Sequence, residues 1–178
     1  MTRPIAFDAA KDTGGTSFGD LPEWDLTDLY PAPDCAEIKR DMDWLEAACA
    51  DFATDYEGKL DTLDAAGLLD AVKRYENIDI IAGRIMSYAG LRYYQITTDD
   101  ERGKFMADCQ DRIPTYTTPL VFYGLEFIRL EDAHLANLLA QNADLRRYKP
   151  IFDRMRAMMP HQLSDEMEKF LHDQSTVG

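Results

Sequence analysis

The chain has 178 residues, enough for one domain with a sizeable core, and its 46% apolar, 29% charged and 11% aromatic make-up is that of a globular protein. Its 33 acidic against 19 basic residues leave a formal net charge of −14, which argues against nucleic acid or an anionic membrane as partner, because both select Lys/Arg-rich surfaces. The sequence shows no secretory signal and no apolar run near the ~20 residues a membrane span needs. Cys35, Cys49 and Cys109 lack a C-x-x-C spacing, so three separate thiols in a reducing cytoplasm are expected.

Residues 1–20 are polar around Gly14-Gly15-Thr16-Ser17 and predict a flexible leader. From Leu21 to Pro33, three prolines forbid a long helix while Trp24, Leu26, Leu29 and Tyr30 seek burial. An extended or single-turn arm is expected, with Trp24 and Tyr30 as candidate partner-docking residues. The first helix is predicted from Cys35 to Glu57, capped by Asp34 with Glu37 three residues on and stopped by Gly58. Ile38, Met42, Leu45, Cys49, Phe52 and Tyr56 step by four and three along one face.

A second helix starts near Asp64 with Leu68, Leu69, Val72 and Tyr75, and leads, with or without a break near Asn77, into residues 79–98. That stretch is apolar on nearly every side of a helical wheel, the pattern of a helix surrounded by others. Gly83, Ser87 and Gly90 form a small-residue ridge on it, where a neighbouring backbone is expected to approach. Tyr75, Tyr88, Tyr93 and Tyr94 could line a groove, though aromatic residues at this spacing more often fill a core. Thr98 to Glu101 predicts a stop and a new N-terminus.

The next helix, with Phe105, Met106, Cys109 and Ile113, meets Pro114 and Pro119 and should run kinked or twice broken to about Leu130. Helices over Glu131–Ala140 and about Leu145–Met158 follow, the latter with Pro150 in its first turn or at a kink. Ser164 caps a last helix from Asp165. No strand alternation appears, so the fold class is all-α: six or seven mostly antiparallel helices around a central buried helix, 79–98, with an extended N-terminal arm.

No catalytic set is visible. There is no H-E-x-x-H, G-x-S-x-G, P-loop or Rossmann glycine pattern. Cys49 and Cys109 sit at core spacing. Glu131 and His134 make one E-x-x-H without the second copy a di-iron bundle requires, and read as a surface pair. Arg146, Arg147, Lys149, Arg154 and Arg156 form the one basic cluster. Its arginines are candidates for anion or peptide contact, weighed against pairing with the plentiful Asp.

The order of several motifs is more telling. Trp24-Asp25-Leu26-Thr27-Asp28-Leu29-Tyr30-Pro31 is followed by Tyr88-Ala89-Gly90-Leu91-Arg92-Tyr93, Thr97-Thr98-Asp99, Pro160-His161-Gln162-Leu163-Ser164, the segment Glu166 to Leu171, and Ser175 to Gly178. Over residues 21–178 this resembles the N-terminal region of oligoendopeptidase F, a thimet-oligopeptidase-like zinc metallopeptidase. The resemblance implies a helical lobe that walls the substrate channel of an enzyme cutting short oligopeptides. It also implies that zinc, H-E-x-x-H and the catalytic domain lie in polypeptide beyond the match. No catalytic or metal residue is carried over; His161 matches a family position that is not a zinc ligand. No cofactor is expected in this chain, the missing catalytic domain is the expected partner, and the chain alone should be inactive. The sequence stops at Gly178 just after a helix, which fits a truncated enzyme. An apolar patch left by the absent part is expected on the Trp24/Tyr30 arm or the C-terminal helix. The competing reading is a free-standing helical protein-interaction module.

Overall fold

A computed structural model describes residues 24–174; the leader expected over 1–20, the start of the arm and the motif residues 175–178 lie outside the described residues. Every regular element described is helical. Seven helices span nine residues or more: α1 (Ala36–Tyr56), α2 (Ala65–Gln95), α3 (Asp100–Thr117), α4 (Val121–Arg129), α5 (Asp132–Gln141), α7 (Lys149–Ala157) and α8 (Asp165–Asp173). Between α5 and α7 lies a single turn, α6 (Ala143–Arg146). The all-α expectation holds.

The apolar face predicted for α1 is the buried one, with Asp41 added to it. Its cap differs. Cys35, not Asp34, occupies the N-cap without a side-chain bond, because the Cys35 amide turns back to the Ala32 carbonyl and the helix begins after that turn. Gly58 ends the helix at φ +73°, the left-handed region a side chain resists. Its amide donates to Glu126 Oε1 on α4 at 2.7 Å, so the stop also ties two helices together.

α2 runs unbroken through Asn77, capped by Asp64, which accepts from the Gly67 amide at 2.7 Å. At 1.5 Å per residue it is about 46 Å long. α1 and α2 pair antiparallel: Asp55 meets Arg74 and Tyr56 meets Asp70 at one end, while Asp41 meets Arg84 towards the other. α3 starts where predicted, because Asp99 accepts from the Glu101 and Arg102 amides. It returns along α2, with Arg102 reaching the Arg92 carbonyl and Phe105 lying 6.0 Å from Tyr88.

Pro114 stays inside α3 rather than breaking it. The hydroxyls of Thr115, Thr117 and Thr118 donate back to the carbonyls of Asp111, Ile113 and Pro114, so these side chains fold onto the helix around the proline. Pro119 opens a 3-10 turn, Thr118–Leu120, that leads into α4. Pro150 lies in the first turn of α7, where its missing N–H costs nothing. An aromatic chain joins the layers. Phe52 packs edge-on to Tyr123 at 5.6 Å, Tyr123 stacks on Tyr75 at 4.4 Å, and Phe127 meets Phe152 at 4.5 Å.

The burial of α2 corrects the wheel. Ile78, Ile85, Tyr88, Ala89 and Gly90 are buried, but Ile80 is 57% exposed and Gly83, Ser87 and Tyr94 also face water. A Cβ added at Gly83 would meet nothing within 4 Å, so no neighbouring backbone uses the small-residue ridge there. α2 is central in the packing, with α1 and α3 along it and α5 and α6 against it. These partners are too few to enclose it, and one flank stays wet.

Candidate partner-docking site

The two arm aromatics predicted for docking go to different places. Leu26 to Tyr30 forms a short turn, its carbonyl at Leu26 accepting from the amides of Leu29 and Tyr30. Tyr30 is driven inward, 1% exposed, and its hydroxyl donates to Asp41 Oδ2 at 2.8 Å. Arg40 Nη2 and Nε donate to the other carboxylate oxygen at 2.7 and 3.0 Å. Arg84 lies 4.4 Å over the Tyr30 ring and donates twice to the Leu29 carbonyl.

Burial alone would raise the Asp41 carboxyl, but the bonds from Arg40 and Tyr30 outweigh it and hold the acid below its usual value. Burial and the Asp41 bond push the Tyr30 phenol well above its usual value. The arm is thus locked to α1 and α2 by a satisfied charged cluster. Trp24 remains at the surface, 70% exposed, its carbonyl accepting from Gln95 Nε2 at 3.1 Å beside the exposed Tyr94 and Ile96 at the end of α2.

The four arginines are not brought together. Arg146 donates to the Leu139 and Ala140 carbonyls near the end of α5. Arg156 donates to the Leu130 carbonyl at the end of α4 and pairs with Asp132. Arg147 lines an open groove of about 400 Å³ with Lys73, Glu76 and Tyr148, whereas Arg154 is exposed on α7.

The candidate reactive groups stay apart as well. Burial pushes the Cys49 and Cys109 thiols up to about 11, which makes them poor nucleophiles. Glu131 stands at the N-cap of α5 with His134 one turn on. Among the described residues, however, no three His, Cys, Asp or Glu side chains converge to hold a metal ion. The described residues therefore offer no set of side chains placed to hold zinc.

The surface is most unusual at α8. Its N-terminus is capped by Ser164 as predicted, but its polar side faces the body. Asp165 pairs with Arg129, Lys169 with Glu57 at 3.8 Å, His172 Nε2 lies 3.4 Å from Thr117 Oγ1, and Asp173 Oδ1 accepts from Thr118 Oγ1 at 2.8 Å. Met167, Phe170 and Leu171 point the other way and are about half exposed. The exposed patch expected on the arm or the C-terminal helix is present at Trp24 and, more extensively, on α8. Periodicity marks the residues of such a face, but only packing reveals that it is turned outward.

The described residues thus form an all-helical lobe with a locked arm, scattered basic groups and an apolar face open to solvent. The model of an N-terminal peptidase family, described as Oligopeptidase F, matches residues 126–178. Group B oligopeptidase PepB of Streptococcus agalactiae serotype III (strain NEM316) is 24% identical over 156 residues, 87% of this chain and 25% of that protein. The chain thus spans about a quarter of the length of the curated relative, and it resembles the N-terminal region of oligoendopeptidase F. No solved structure gives a significant match. No helix among the described residues is long and apolar enough to cross a membrane.

Proposed function

We propose that residues 21–178 are the N-terminal helical lobe of a zinc-dependent endopeptidase that hydrolyses short oligopeptides, with residues 1–20 as a leader. The observation that carries this reading is the alignment of 87% of the chain with a quarter of an oligopeptidase. The lobe's role is mechanical. Its packed helices α1, α2 and α3 wall a substrate channel, while zinc and the residues that activate water come from polypeptide outside these 178 residues. Free thiols at Cys35, Cys49 and Cys109 fit a reducing compartment, so we place the enzyme in the cytoplasm.

The 178-residue chain by itself is inactive on this reading. Incubated with zinc and a panel of internally quenched peptides it gives no turnover, whereas the complete product of its gene cleaves them in a chelator-sensitive way. Chelator-sensitive cleavage by the 178-residue chain, or a complete product without peptidase activity, would overturn the proposal. The second of these results would favour a free-standing interaction module.

A further inference from the structure

The orientation of α8 runs against the usual logic of an amphipathic helix. Residues 165, 169, 172 and 173 share the side that meets the body, and each makes a polar contact with it. Met167, Phe170 and Leu171 share the opposite side, Leu163 lies just before the cap, and all four are 47–57% exposed. Met158 and Met159, in the turn before the helix, are exposed as well. Six of the twelve large apolar side chains left exposed among the described residues therefore fall within fourteen consecutive positions.

The body does not lack an apolar surface for α8 to use. A groove of about 360 Å³ lined by Ile78, Ala82, Ile113, Leu120 and Val121 also includes His172 of α8. The helix places its imidazole there and keeps Phe170 outside. Surface ion pairs such as Asp165–Arg129 and Lys169–Glu57 hold a helix weakly in water, so they select an orientation without explaining the exposed face. A contiguous apolar face rimmed by polar groups marks a partner site.

We infer that the outward face of α8, with Met158 and Met159, seats an apolar surface of the oligopeptidase polypeptide that this chain does not span. This inference rests on the proposed function and specifies where the lobe meets the rest of the enzyme. The aligned oligopeptidase is four times longer than its matched quarter, and all six residues lie inside the segment matched by the family model. A second copy of the chain is the poorer occupant. It would bring a second net charge of −14 against the first, with Glu166 and Glu168 beside the face on both sides. The methionines give a face that adapts to its partner, and those glutamates call for Lys or Arg at the partner's rim.

The test substitutes Met167→Glu and Phe170→Glu together, with Phe170→Leu as the apolar control. In the 178-residue chain, the double variant keeps the helical circular-dichroism signal and melting midpoint and loses severalfold of its anilinonaphthalene-sulfonate fluorescence, and wild type sediments as a monomer. In the complete gene product, the double variant lowers the melting midpoint and exposes dye-binding surface, while Phe170→Leu behaves as wild type. A wild-type chain that dimerises through this face, and is made monomeric by the double substitution, would assign it to a second copy instead. An active complete peptidase indifferent to the double substitution would overturn the inference and leave the proposed function standing. A complete product that ends at residue 178 would remove both.

Discussion

Tyr30→Phe tests whether the arm is pinned by one hydroxyl. The substitution keeps the ring, its 5.5 Å edge contact with Tyr88 and the Arg84 guanidinium above it, and removes only the 2.8 Å bond to Asp41. Hydrogen bonds to charged groups contribute about 1.5–3 kcal/mol. Asp41 keeps Arg40 and has Arg84 Nη1 at 3.8 Å, so its carboxylate is not orphaned and the low end applies. We expect a loss of about 1.5 kcal/mol, read from urea titrations by circular dichroism. For a domain of this size that corresponds to a melting shift of roughly 3–6 °C. A cycle with Asp41→Asn should show a coupling of about 1 kcal/mol or more.

The pH dependence follows from the sign of the shift. Asp41 is held below its unfolded value of 3.8, so its contribution is present above that pH and fades as pH falls through the folded value. The gap between wild type and Tyr30→Phe should shrink correspondingly in acid. A destabilisation below about 0.3 kcal/mol, with no coupling, would refute the pin, because hydrogen bonds to charged groups are expected to contribute several times that.

Three further outcomes are expected. Gly58→Ala forces a side chain into φ +73° although nothing obstructs its Cβ, and should cost about 1 kcal/mol in the same titration; an unchanged midpoint would contradict that. Phe52→Ala, at the centre of contacts to Tyr56, Tyr75, Phe122 and Tyr123, should cost about 3–5 kcal/mol, and less than about 2 would mean the cavity collapses. Ellman's reagent should label the half-buried Cys35 in the native chain and reach Cys49 and Cys109 only on unfolding. Because burial raises those two thiols, the stability they contribute is present below their unfolded value near 9 and is lost as pH rises towards about 11. Three equally fast thiols would show that the core assignment is wrong.

The sequence by itself determined what depends on neighbours along the chain. The buried face of α1 follows from steps of three and four. The caps at Asp64, Asp99 and Ser164 follow from a side chain reaching an amide two or three residues on. The stop at Gly58 follows from a conformation open to glycine. Tertiary structure decided what depends on how many partners an element finds. The wheel made residues 79–98 apolar all round, yet the structure leaves Ile80, Gly83 and Ser87 wet, since too few helices surround that flank. The sequence showed three prolines and two aromatics in the arm. That Tyr30 would be drawn in while Trp24 stayed out depends on Asp41, Arg40 and Arg84, which lie 10 to 54 residues further along the chain. α8 shows the same division most sharply. Its two faces can be read from their spacing, but which one meets the body was settled by Arg129, Glu57 and Thr118, because long-range pairing is fixed in space and not in the local chain.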